Sequence, residues 1–280
     1  MSGTDAPDRY AVVGHPVAHS RSPFIHARFA AATGQRLVYD LIDIPPGEFR
    51  ERVDAFAADG GRGLNVTLPY KFEALDYAEL LTDRARDAGA VNTLAWRADG
   101  SVLGDNTDGA GLVRDLEQNL GRALAGRRIL LLGAGGAARG ALPALAAAGP
   151  GAIVVANRTH ERAVALAADF ADRARVEAQE FEVLEGRFDL VVNATAASID
   201  DAVPPVPERV VDGVTLCYDM MYGAEPTAFV RWGQAHGAVK SLDGLGMLVE
   251  QAAESFYRWR RVRPETGPVI QQLRNMLDGG

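Results

Sequence analysis

In the stretch ILLLGAGGAARG, Gly133, Gly135 and Ala138 take the three small-residue positions of a turn that can cradle a diphosphate. An apolar run precedes the turn and a helical pattern follows it, the context such a turn requires. The first glycine permits a tight turn, the second lets a pyrophosphate approach the backbone, and Ala138 lets the helix pack closely on the strand. Gly136 and Ala137 open that helix, whose unpaired N–H groups and partial positive charge favour phosphate. About 20 residues further on, a carboxylate at the tip of the next strand would hold a ribose 2′-hydroxyl and repel a phosphate there. The strand AIVVA instead runs into Asn157, Arg158 and Thr159. A planar guanidinium pairs with phosphate oxygens. Asn157 and Thr159 add neutral hydrogen bonds, and Arg162 lies one helical turn beyond Arg158. This pattern predicts NADP(H) rather than NAD. The plainer alternatives are a glycine turn kept for packing and a solvated surface arginine.

The N-terminal half holds further polar groups. Ser20 and Ser22 stand two apart before Pro23. In extended chain such residues face the same way, so their hydroxyls could hold a small carboxylate. Equally, Ser22 could cap a helix that begins with the proline. Thr67 and Lys71 follow the apolar run GLNV, Asn92 sits in AGAVNTL, and GDNTDG carries Asp105, Asn106, Thr107 and Asp108. Each has an ordinary reading as a solvated lysine, a turn or a helix cap. Together they are polar clusters at the ends of apolar strands, where open α/β sheets place their ligands. His15 and His19 are four apart, but Pro16 argues against a helix that would align them on a metal.

The elements that must position these groups alternate. YAVVG, LVYDLIDI, GLNVTL and GSVLGD read as strands, with helical periodicity in SPFIHARFAAATG, GEFRERVDAFAADG and KFEALDYAELL between them. This βαβ rhythm predicts a mostly parallel sheet. A second series starts near residue 127: RRILLLG, AIVVA, FDLVVNAT and GVTLCYDM as strands, a small-residue helix that Pro143 should kink, and two closing helices. Residues 1–8 and 279–280 read as mobile ends.

The chain has 280 residues, 48% of them hydrophobic, a net charge of −8 and one cysteine. It is large enough for two domains. Its acidic balance argues against nucleic acid and anionic membranes. No apolar run approaches the roughly 18 residues of a membrane span, and no secretion signal is apparent. These features fit a soluble cytoplasmic protein with no disulfide and no metal cluster.

The segments HSRSP, NVTLPYK, GAVNT, GDNTDG, GAGGAARG, NRT, DMMY and DGLGMLVEQA occur in an order that resembles the shikimate dehydrogenase family, from about residue 10 to residue 277. The resemblance implies an α/β protein of two domains with a cleft between them. Residues 1–108 and 243–280 would form the substrate domain, with a mostly parallel sheet. Residues 109–242 would form a Rossmann-type NADP domain. It implies that Ser20 and Ser22 bind the substrate carboxylate, with Tyr222 near it and Thr67 assisting. Asn92 and Gln251 would bond substrate hydroxyls, and Lys71 and Asp108 would be the catalytic pair. The glycine turn (Gly133, Gly135, Gly136, Ala137) and Asn157, Arg158, Thr159 and Arg162 would hold NADP, with Gly244 and Met247 at the nicotinamide. The implied partner is a small-molecule substrate, in a monomer or homodimer.

The implied reaction is reversible hydride transfer between NADPH and the C3 carbonyl of 3-dehydroshikimate. Lys71 would supply the proton and Asp108 would orient it, with no metal needed. Two departures stand out: Ala27 where the family often has asparagine, and NATAASID where serine and then glycine usually follow NAT. The alternatives are a quinate or aminoshikimate enzyme with relaxed cofactor use, a folate-pathway dehydrogenase, or an NADP sensor without turnover. A sensor should have lost Lys71 or Asp108, and both are present.

Overall fold

The computed structural model describes residues 6–279. Part of the expected mobile ends, residues 1–5 and 280, lies outside that range. Asp8, in the same stretch, already opens the first strand. The chain divides into two compact units. One runs to Thr107 and includes Gln251–Val269; the other comprises Asp108–Glu250 and the residues from Ile270 on. The sequence reading instead grouped Asp108, 243–250 and 270–280 with the first.

In the first unit, β1 (Asp8–Gly14), β2 (Leu37–Asp43), β3 (Gly61–Val66), β4 (Leu80–Leu81), β5 (Thr93–Trp96) and β6 (Val102–Asp105) form one sheet in the order β2-β1-β3-β5-β6-β4. All pairings are parallel except those of β5, which runs against β3 and β6. Helices α1 (Ser22–Thr33), α2 (Phe49–Ala58), α3 (Lys71–Tyr77) and α4 (Asp83–Ala88) join the strands. Ala11, Val13, Leu64, Val66 and Leu94 pack with Phe49, Val53, Phe56 and Tyr70 as one core. Each such large side chain contributes about 1.5–3 kcal/mol by leaving water.

The second unit opens with α5 (Asp108–Arg114) and a π-helical turn (Asp115–Asn119). Its sheet contains β7 (Arg128–Leu132), β8 (Ala152–Ala156), β9 (Val176–Gln179), β10 (Leu190–Asn193), β11 (Leu216–Asp219) and β12 (Lys240–Leu242). The order is β12-β11-β10-β7-β8-β9 and every pairing is parallel. This is the doubly wound dinucleotide-binding order, whose direction reverses between β7 and β10. Strands β7 and β8 are almost wholly buried, as expected of a sheet covered on both faces. Helix α6 (Gly136–Ala147) is continuous through Pro143. Helices α7 (His160–Ala168) and α8 (Ala228–Ala235) complete the unit's own set. Two longer helices, α9 (Leu245–Arg260) and α10 (Gly267–Asp278), each have residues in both units.

Candidate active site

In the first unit the singled-out groups collect where β3 and β6 end and β5 begins. Ser22 is the first residue of α1, and Arg21 rather than Ser22 is the N-cap, with no side-chain cap bond. The helix-cap reading of Ser22 therefore fails, and its hydroxyl is not spent on the helix. Ser20 Oγ donates to Ser22 Oγ at 3.1 Å and accepts from the Ser22 backbone N–H at 3.3 Å. The two hydroxyls thus sit side by side.

Thr67 leaves β3 with its N–H on the Val13 carbonyl, and its own carbonyl accepts from Tyr70 at the start of the next turn. Lys71 then opens α3, half-buried, with its carbonyl held by the Val91 N–H. A Cβ at Gly14 would come within 2.5 Å of the Thr67 methyl, so glycine is needed where these loops meet.

Asn92 is buried and heavily bonded. Its Oδ1 accepts from the Thr107 N–H (2.9 Å) and Thr93 Oγ1 (2.9 Å), and its Nδ2 donates to Thr107 Oγ1 (2.9 Å). Thr107 Oγ1 lies 3.3 Å from Gln251 Oε1, so Asn92, Thr107 and Gln251 are brought together. Asn65 extends the cluster. Its Nδ2 reaches Ser255 Oγ at 2.8 Å and Thr93 Oγ1 at 3.1 Å, while its Oδ1 accepts from the Tyr39 hydroxyl at 2.7 Å. Tyr39 also bonds Ser22, and burial pushes its phenol pKa up, so it stays a donor. One buried polar chain therefore links the serine pair to Asn92 and Gln251. Sequence reasoning missed Asn65 and Tyr39; the signal for Asn65 was an amide inside an otherwise apolar strand.

Asp105 is the anchor beneath this cluster. It is fully buried and accepts from Arg84 Nε and Nη2 (2.6 and 2.7 Å), Arg258 Nε (2.9 Å) and Thr82 Oγ1 (2.7 Å). Burial alone would raise its pKa, but the Arg84 and Thr82 hydrogen bonds and the Arg84 and Arg258 charges outweigh it and hold the carboxyl below its usual range. Asp105 thus pins the strand end that presents Asn106 and Thr107.

In the second unit, Gly133 follows β7 at φ +108°, and a Cβ there would lie 3.0 Å from the Ala194 carbonyl. Gly135 and Gly136 face open space, with nothing within 4 Å of a built Cβ. Helix α6 has Gly135 as N-cap without a side-chain cap, which leaves the N–H groups of its first turn, Ala137 included, for a ligand. These residues fit a bound diphosphate. At the tip of β8, Asn157 Nδ2 donates to the Thr159 carbonyl at 2.8 Å. Arg158, Thr159 and Arg162 are exposed. Neither guanidinium bonds or ion-pairs with a described residue, whereas Arg139, Arg175 and Arg187 each pair with a carboxylate. Arg158 lines a groove of about 250 Å³ with Asn157, Glu161, Glu180 and Glu182. Those acids oppose a phosphate, and no local motif in the sequence marks them as part of the site.

Asp108, buried, is the first residue of α5. The adjacent Gly109 admits α6 so closely that a Cβ would meet the Gly140 carbonyl at 2.4 Å. Half-buried Tyr222 follows a turn that buried Asp219 organises by accepting from Ser198 Oγ, Thr227 Oγ1 (both 2.6 Å) and the Met221 N–H (3.0 Å). Ser198 belongs to the divergent NATAAS loop, so that loop is tied down. Gly244 lies against the Met220 carbonyl, 2.4 Å from a built Cβ. The Met247 N–H reaches Tyr218 Oη (3.3 Å), which donates to Asp115 (2.7 Å). His15 pairs with Asp43 at 3.0 Å. Among the described residues no group of three or more His, Cys, Asp or Glu is placed to hold a metal ion.

Comparison with known proteins places the chain in a family. Residues 12–94 match the shikimate dehydrogenase substrate binding domain, 115–200 the shikimate/quinate 5-dehydrogenase model, and 244–274 the shikimate 5′-dehydrogenase C-terminal domain. The chain is 56% identical to the shikimate dehydrogenase (NADP(+)) of Thioalkalivibrio sulfidiphilus, covering 95% of this chain and 98% of that one. It is 57% identical to the enzyme of the same name from Methylococcus capsulatus, covering 95% and 96%. The shikimate 5-dehydrogenase of Thermus thermophilus, solved in complex with NADP(H) and shikimate, is 34% identical and superposes with a TM-score of 0.85, covering 96% and 99%. The chain belongs to the shikimate dehydrogenase family.

Proposed function

We propose that this protein catalyses the reversible NADPH-dependent reduction of 3-dehydroshikimate to shikimate. The observation that carries the reading is the buried polar chain from Ser20 and Ser22 through Tyr39 and Asn65 to Asn92, Thr107 and Gln251. It holds hydroxyl and amide groups at the strand ends, a chemistry that suits a small polyhydroxylated carboxylate. Relatives at 56–57% identity that carry the name shikimate dehydrogenase (NADP(+)) support the same assignment.

In this assignment Ser20 and Ser22 hold the substrate carboxylate, with Tyr222 beside it. Asn92 and Gln251 hold ring hydroxyls, and Thr67 assists near the same substrate. Lys71, as ammonium, gives a proton to the oxygen of the reduced carbonyl, and as amine it removes that proton in the reverse direction. Asp108 bonds the same hydroxyl and orients the lysine. The N–H groups at Gly135–Ala137 would hold the cofactor diphosphate, while Asn157, Arg158, Thr159 and Arg162 would hold the 2′-phosphate. Gly244 and Met247 would face the nicotinamide. When bound, NADP supplies or accepts the hydride. The first unit is then the substrate domain and the second the NADP domain. We also infer a cytoplasmic enzyme, monomeric or dimeric; among the described residues no helix is long and apolar enough to cross a membrane.

Lys71→Ala tests the mechanism. Loss of a general acid–base lowers kcat by about 100- to 10,000-fold, with a smaller change in KM. A strong rise in KM at unchanged kcat would make Lys71 a binding residue only.

A further inference from the structure

The first unit has a second concavity, at the opposite end of its sheet from Thr67, Asn92 and Thr107. It is bounded by the start of β1, the start of β3, the end of β5 and the last turn of α9, and has a volume of about 630 Å³. Strand β3 puts it about 20 Å from the substrate groups. Its walls combine two chemistries. One is cationic: Arg62, Arg97, Arg260 and Arg261 line it, in a chain whose net charge is −8, while the Arg258 guanidinium turns away to Asp105. The other is flat and aromatic: Tyr10 and Trp259 stack with centroids 4.7 Å apart, and Trp96 adds a third face. The Trp259 Nε1–H is fixed on the Leu94 carbonyl at 3.0 Å, so this wall is rigid.

The carboxylates present do not balance the guanidinium groups. Asp8 serves both Arg260 and Arg62, the latter at 3.5 Å, and Asp99 serves Arg97 at 3.6 Å. Arg258 is committed to Asp105. The Arg261 side chain makes no hydrogen bond or ion pair with a described residue. Arg261 also sits at φ +57°, a left-handed conformation that favours glycine. A bulky cation is thus held at the rim of the groove where the backbone would prefer no side chain.

We propose that this groove is a binding site for a small planar ring carrying at least two negative charges, such as an aryl polycarboxylate or aryl phosphate. The ring lies against Trp96 and the Tyr10–Trp259 stack, and the anionic groups meet Arg97, Arg62 and Arg261. The volume suits a ligand of that size and exceeds what a lone inorganic anion fills.

The test uses benzene-1,3,5-tricarboxylate as probe and tryptophan fluorescence as readout, with shikimate and NADP saturating so that other anion sites are blocked. The chain has three tryptophans. Trp232→Phe therefore leaves only Trp96 and Trp259, both in the groove, to emit. The expected result is saturable quenching with a Kd below about 1 mM. In an added Arg97→Gln/Arg261→Gly background the affinity should fall at least about tenfold, while the shikimate KM stays unchanged. Arg261→Gly relieves the backbone, so that background should fold. Quenching that rises linearly without saturating, or equal affinity in the two backgrounds, overturns the site. Equal binding of cyclohexane-1,3,5-tricarboxylate overturns the planar-ring assignment.

Discussion

His26 lies beneath the serine pair, one turn into α1, fully buried. Its ring stacks on Tyr39 with centroids 4.2 Å apart and interplanar angle 5°, with Trp259 at 5.4 Å and Phe29 at 6.0 Å. Burial among these rings lowers its pKa to about 3. In the unfolded chain an imidazole titrates near ~6.5. At pH 8 neither state binds the proton and His26 adds no pH dependence. As pH falls below ~6.5 the unfolded chain gains a proton that the folded one refuses until about pH 3, so stability is lost through that window. At pH 4.5 the difference spans two pH units at about 1.4 kcal/mol each, or about 2.7 kcal/mol. His26→Phe keeps an aromatic ring against Tyr39 and removes the titration. Urea unfolding of both proteins at pH 8 and pH 4.5 measures the effect, since all other titrations cancel in the comparison. The variant should gain about 2.7 kcal/mol on wild type between the two pH values. Parallel pH dependence would refute a neutral buried His26, and with it the rigid Tyr39 support for Ser22.

Two further outcomes are expected. Arg158→Ser should raise the KM for NADP about 10- to 100-fold, the loss of a charged hydrogen bond worth ~1.5–3 kcal/mol, while leaving kcat and NAD turnover unchanged; steady-state kinetics with each cofactor checks this. Asp105→Asn should cost about 3 kcal/mol by leaving Arg84 and Arg258 without their shared carboxylate. Because the Asp105 pKa is held low, the wild-type contribution is present above the unfolded carboxylate pKa and fades as pH falls through the lower folded value. Thermal melts of the two proteins should therefore converge in acid.

Much of the second unit was legible because its signals are local. A buried strand, a glycine turn and a helix follow one another between residues 128 and 147, and Arg158 stands where the next strand ends. The first unit was harder. Strand β5 is four residues long and runs antiparallel, so no βαβ rhythm announces it. Strand β9, VEAQ, is a polar edge strand without an apolar run, and it brings Glu180 and Glu182 to the Arg158 groove. Asp105 was visible as one polar residue among four, but its partners are 21 and 153 positions away in the chain. Asn65 is one amide in an otherwise apolar strand, and its partners Tyr39 and Ser255 are 26 and 190 positions away in the chain. Local pattern reports which face of an element is apolar; it carries no information about which distant polar groups that face will meet.

The measurement that bears most directly on the function is absorbance at 340 nm with purified protein, offering shikimate or quinate with NADP or NAD. Fast reduction with shikimate and NADP, and little with the other three pairs, is the predicted result. Preferred turnover of quinate or NAD would contradict the assigned substrate or the role of Arg158. Silence in all four from folded protein that still binds NADP would contradict catalysis itself.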